Sequence, residues 1–169
     1  MTPADLLQDH FIRIVESADA LLDGLTEDQL AHRPTPDANS IGWLVWHLAR
    51  VQDDHVAAVA GIEQVYTAQG YVGRFDLPFD PAEIGYGQDT DEVAQVRVDA
   101  DLLADYLHAV HEQTHRYLST LTAEDLDRVV DKHWEPPVTL GMRLVSVVND
   151  DTQHVGQAAY VRGLLARVE

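Results

Sequence analysis

Two histidines and a pair of neighbouring aspartates interrupt stretches that otherwise read as buried helix. His47 sits among Trp43, Leu44, Leu48 and Val51, and Asp150, Asp151 and His154 sit among Val147, Val148, Val155, Ala158, Val161 and Leu165. A polar group on such a stripe needs a partner, because an unpaired buried charge is costly. On a helix, residues four apart point the same way, so Asp150 and His154 can share one ion, and Asp151, three before His154, can take the same part. Two imidazoles and one carboxylate with an open fourth position describe a catalytic zinc site. Taken singly, each histidine is also compatible with a satisfied core residue.

A second cluster competes. His111, Glu112 and His115 match His-Glu-x-x-His, in which two histidines on one helix face hold zinc and the glutamate acts as general base of a metallopeptidase. Glu135, twenty residues after His115, is the candidate third ligand, but it adjoins Pro136 and Pro137 in an expected loop. His108, Gln113 and Arg116 surround the motif with polar groups, so a solvated helix face accounts for it equally well. A bundle that binds a metal or ligand without catalysis is a third reading.

The rest of the composition narrows the field. A formal charge of −18 opposes nucleic acid or an anionic membrane as partner, both of which demand basic surfaces. No apolar run approaches the roughly 20 residues of a membrane span. The first residues lack the basic and apolar segments of a signal peptide, so a cytoplasmic location is the expectation. With no cysteine, the chain has neither disulfides nor a thiol nucleophile of its own.

Four helices must position these residues. Leu7, Phe11, Ile14, Val15, Ala18, Leu21, Leu22 and Leu25 recur at three- and four-residue steps, predicting a first helix that opens at Thr2-Pro3. The second is expected from Asn39 or Ser40 to Ala60 with Gly61 as its stop. A third is expected from about Asp91 to Leu121, through Val96, and a fourth from near Thr139 almost to the C-terminus. Residues 61–90 carry three tyrosines, two phenylalanines and two prolines and read as a long ordered loop. A faint repeat accompanies this pattern. Leu25-Thr26 and Leu121-Thr122 follow the first and third helices, while Ser40-Ile41-Gly42 and Thr139-Leu140-Gly141 open the second and fourth. The expectation is a single all-α domain over residues 1–169, a four-helix bundle with long inter-helix loops.

The stretches Asn39–His55, Leu77–Gly87 and His154–Gly163 give the chain a resemblance to the DinB-like superfamily, specifically its mycothiol S-transferase branch, over nearly its whole length. The resemblance implies a four-helix bundle holding zinc or another divalent metal through a histidine on the second helix and a His-x-x-x-His pair on the fourth. His47 and His154 match the first and last of these ligands. Asp150 stands where many members carry histidine, although related mycothiol-dependent isomerases use a carboxylate there. The implied reaction joins a small-molecule thiol, mycothiol, to an electrophile, as in detoxification, and related bundles often form homodimers. Gln157, one turn beyond His154, becomes a candidate to orient it. Trp43, Trp46, Tyr71, Phe75 and Tyr86 are candidate pocket walls. Arg50, Arg74, Arg143 and Arg162 are candidate contacts to a carboxylate or sugar hydroxyl, and Gly156 is expected to permit close helix packing.

Overall fold

The structure, a computed structural model, describes residues 1–165. Helix α1 (Pro3–Leu22) opens with a capping box: Thr2 accepts from the Asp5 backbone amide while the Asp5 side chain accepts from the Thr2 amide. Its buried stripe is Phe11, Ile14, Val15, Ala18, Leu21 and Leu22. The helix ends at Leu22 and not at the expected Leu25, because the chain turns at Gly24 with φ of 73°. Arg162 donates to the carbonyls of Ala20, Leu21 and Asp23, supplying donors that the last turn of a helix otherwise lacks. A short helix, α2 (Glu27–Ala31), follows under a second capping box between Thr26 and Gln29.

Helix α3 (Ile41–Ala60) begins at its Ser40 cap and stops at Gly61, which takes the left-handed conformation at φ 69°, as the sequence predicts. Fifteen of its twenty residues are buried, so it is the central element of the bundle and not a one-sided amphipathic helix. The cover on its outer side comes from residues 62–98. This segment is not the uniform loop expected, since it holds α4 (Val65–Ala68), α5 (Tyr71–Phe75) and α6 (Thr90–Ala94).

The expected third helix is broken. Val96 and Val98 are buried in non-helical chain, and α7 (Ala100–Leu118) starts only after Asp99, whose side chain accepts from the Leu102 amide at 2.7 Å. A good N-cap at Asp99 and two valines drawn into the core outweigh the helical spacing that ran through them. A second departure lies beyond α7. Val129–Asp131 (β1) pairs antiparallel with Val138–Thr139 (β2), a ladder too short to leave a periodic signal in the sequence. The last helix, α8 (Leu140–Leu165), then runs to the end of the described residues.

The four long helices pack in a ring, α1 against α7 and α8, and α3 against α7 and α8. The architecture is therefore an all-α four-helix bundle with long connections, and the faint repeat has a structural counterpart. A side chain at Gly42 would meet the Leu30 carbonyl at 3.4 Å, and one at Gly141 would meet the Leu126 carbonyl at 3.3 Å. Leu30 and Leu126 end the two matching segments Leu25–Leu30 and Leu121–Leu126. Each half thus packs a turn following a long helix against a glycine at the start of the next long helix. Among the described residues no helix is long and apolar enough to cross a membrane.

One buried cluster fastens the outer segment to α3. Arg50, fully buried, donates to the carbonyls of Pro81 and Glu83, to Gln64 Oε1 and to the Tyr106 hydroxyl, and lies over the Tyr66 ring at 4.1 Å. Asp53 accepts from the Val65 and Tyr66 amides and the Tyr106 hydroxyl, each at 2.8 Å, with Arg50 at 3.7 Å. Burial pushes the Asp53 carboxyl up, and these donors oppose that push. Removing one partner leaves the other charge buried and poorly compensated. Arg50→Ala is expected to lower unfolding stability by roughly 3–5 kcal/mol, measured by urea denaturation. Arg50→Lys is expected to recover only a small part, since one ammonium cannot replace a planar fork of donors.

Candidate metal centre

The adjacent helices α3 and α8 bring His47 to Asp150 and His154. One donor atom from each of the three lies within 4.8 Å of the other two. His154 Nε2 is 3.6 Å from Asp150 Oδ2, and the two imidazole rings are 4.8 Å apart at a steep angle. His47 is 1% exposed. The side chains of His154 and Asp150 retain 17% and 24% of their surface, so the cluster is closed on the α3 side and open on the α8 side.

Outer contacts orient the two imidazoles. His47 Nδ1 meets the Ile84 carbonyl. A carbonyl only accepts, so Nδ1 carries the proton and Nε2 presents its lone pair to the cluster. His154 Nδ1 lies 3.3 Å from Gln157 Oε1, which leaves its Nε2 toward Asp150 in the same way. Burial holds the His47 imidazole below its ordinary pKa, as does neighbouring His154, while Ile84 and Asp150 pull the other way. The neutral form that results is the one a metal binds. Asp150 Oδ2 is buried without a hydrogen-bond partner, an orphaned acceptor of the kind a cation satisfies.

Aromatic rings hold His47 in place. Trp43 stacks on it at 4.6 Å and Tyr86 meets it edge-on at 5.1 Å, and Trp43 Nε1 is tied to Gln88 at 2.7 Å. Gly85 takes φ of 100°, and a Cβ there would stand 2.5 Å from His47 Nδ1 and 3.1 Å from Trp43. Only a glycine lets the backbone lie this close to the imidazole.

The remaining sequence candidates fall elsewhere. Asp151 is not among the converging donors. Its carboxyl is wholly buried with neither oxygen hydrogen-bonded, and burial, reinforced by Asp150, pushes it well above the usual carboxylate range. Tyr71 and Phe75 do not wall the cluster, because they pack with Tyr66 and Tyr106 around the buried Arg50. Trp46 packs on Phe79 and backs the Gly85 turn. Arg50 and Arg162 are engaged in the fold as described, and Arg74 pairs with Asp105 at 2.7 Å. Gly156 does not serve helix packing, since a Cβ there would touch nothing within 4 Å.

In the His-Glu-x-x-His segment of α7, Glu112 and His115 are exposed, while His111 is half-buried with its Nδ1 lacking a hydrogen-bond partner. Glu112 pairs with Arg116 at 2.9 Å and His108 with Asp19. Among the described residues the one group of three or more histidine and carboxylate donors within reach of a shared ion is His47, Asp150 and His154. Sequence reasoning missed the Ile84 carbonyl, which has no residue-type signal. It had only the glycines flanking Tyr86 as a trace of the turn that delivers it.

Comparison with known proteins follows the same lines. A crystal structure of a conserved protein from Enterococcus faecalis superposes with a TM-score of 0.90 at 34% identity over 96% of each chain. No protein of curated function matches this chain. The family model described as mycothiol-S-transferase matches residues 4–167, and with helices, loops and cluster all inside that span, the chain belongs to the mycothiol-S-transferase family.

Proposed function

We propose that the protein is a metal-dependent transferase in which His47, Asp150 and His154 hold a divalent ion, zinc by the chemistry of the donors, and mycothiol is joined to an electrophilic carbon. The reading is carried by one observation, the convergence of two oriented imidazole Nε2 atoms and an orphaned carboxylate oxygen in a chain of this family. In the overall reaction a sulfur–carbon bond forms, the leaving group departs with its bonding pair, and the thiol proton passes to solvent. A cation bound at this site would favour thiolate over thiol near neutral pH.

The chain's own groups prepare the site for that chemistry. Asp150 contributes a single negative charge, which offsets part of a divalent charge and leaves the site cationic enough to attract a thiolate. Ile84 and Gln157 keep the imidazoles from rotating, so that little reorganisation remains when a ligand arrives. The openness on the α8 side gives a small thiol its approach. Partial burial and the neighbouring Asp150 raise the Tyr86 phenol, so Tyr86 keeps its proton where its ring meets His47 edge-on. The absence of cysteine agrees with a nucleophile brought in from outside.

Elemental analysis of untagged protein is expected to find about one zinc per chain. His47→Ala and His154→Ala should lose it and His108→Ala should keep it; stoichiometric zinc in the His154 variant would remove this site from consideration. Chelation should abolish conjugation of mycothiol to a fluorogenic alkyl bromide, and added zinc should restore it. Gly85→Ala is expected to push the Ile84 carbonyl off His47 and weaken metal affinity about 10–100-fold with helical circular dichroism unchanged. Competition with a chelating dye measures this, and an unaltered affinity would show that the Ile84 contact does not orient the ligand.

A further inference from the structure

Two cavities flank the His47–Asp150–His154 cluster along α8, and their linings differ in kind. On one side lies a cavity of about 700 Å³ whose walls include Pro34, Ala38, Leu44, Gly156, Tyr160 and Val161. Gln157, which contacts His154, also lines it. On the other side a cavity of about 520 Å³ is lined by His55, Arg128, Asp131, His133 and Arg143. Arg143 precedes Asp150 by seven residues, two turns on the same helical stripe and about 10 Å along the axis.

We propose that these cavities sort the two substrates, the polar one taking the sugar–polyol portion of the thiol and the apolar one the body of the electrophile. The proposal rests on the transferase reading above and specifies its binding sites. In the polar cavity Arg143 Nη2 lies 3.1 Å from Asp131 Oδ2, and the Asp131 carboxylate also receives the His133 backbone amide and ring at 2.9 Å. A guanidinium beside a carboxylate offers donors and acceptors together, which matches hydroxyl groups that both donate and accept. The same pairing neutralises Arg143, so this pair suits a hydroxyl group and not an anion, while Arg128, held by the Val59 carbonyl and the Tyr117 hydroxyl, adds a further donor to the lining. Of the four arginines the sequence singles out, Arg143 alone is both near the cluster and turned to a cavity. A thiol held with sulfur at the cluster and sugar at Arg143 leaves the opposite side, past Gln157, for an apolar electrophile.

The test compares two thiols, mycothiol and N-acetylcysteine, with monobromobimane as electrophile. Sulfur displaces bromide from its CH₂Br carbon, and the thiol proton goes to buffer. Arg143→Ala is expected to raise KM for mycothiol about tenfold or more and to leave KM for N-acetylcysteine and for bimane unchanged. Gly156→Val, which projects into open cavity, is expected to raise KM for bimane alone. Arg143→Gln, a milder change, guards against a folding defect in the alanine variant. A second readout needs neither metal nor turnover: the sulfur-free, uncharged N-acetylglucosaminyl-inositol should give saturation-transfer signals with metal-free wild type and lose them in Arg143→Gln. Equal effects of Arg143→Ala on both thiols, or anion binding in place of sugar binding, would overturn the assignment. Sugar binding without any mycothiol turnover would instead sink the transferase reading and leave the polar cavity standing.

Discussion

The buried meeting of Arg50 and Asp53 is the constraint on which the rest of this structure depends. Neither charge has access to water, so each must find its partners within the protein. The partners all come from the excursion between α3 and α7 or from α7 itself: the Val65 and Tyr66 amides, Gln64, the Pro81 and Glu83 carbonyls and the Tyr106 hydroxyl. Satisfying two charges therefore fixes a stretch of chain that has little regular structure of its own. The residue after Glu83 is Ile84, whose carbonyl orients His47. The electrostatics of the core and the orientation of the buried imidazole are consecutive links in one chain of contacts.

Much of this was legible in the sequence. Apolar spacing located α1, α3 and α8, and the terminal signals at Thr2, Ser40 and Gly61 placed their ends well because capping is a local matter. The pairing of His47 with Asp150 and His154 was readable for a similar reason, since polar groups on an apolar face stand out. Asp150 could not be separated from Asp151 by spacing alone. One helical position turns the first toward the histidines and the second into the core. The break before α7 was illegible because Val96 falls on the helical spacing of Leu103 and Leu107 while lying in non-helical chain. Residues 61–90, expected as one long ordered loop, carry short helices for a different reason: their conformation answers to Arg50 and Asp53, which lie on another element. The backbone carbonyl on His47 belongs to this class too, being a group that every residue possesses.

The cluster itself is a compromise between rigidity and access. His47 is enclosed by Trp43, Tyr86 and the Gly85 turn, whereas His154 and Asp150 remain partly open. Placing His47 on the most buried helix, and Asp150 and His154 on α8, keeps the geometry defined without closing the cluster. α8 contributes to a cavity on either side as well, through Arg143 before Asp150 and through Gly156, Tyr160 and Val161 after His154.

The pairing of Leu30 with Gly42 and of Leu126 with Gly141 has an evolutionary consequence. A helix, a turn and a second helix packed through a glycine make one unit, and the chain is two such units side by side. The donors do not obey that symmetry: His47 lies five residues beyond its glycine, while Asp150 and His154 lie nine and thirteen beyond theirs. The glycine contacts are thus shared by the two halves, whereas the candidate donors stand at different positions in each. Ligand positions are in that sense free to drift without disturbing the glycine contacts, so a bundle of this kind can change its donor set, as with an aspartate at position 150, while keeping its shape.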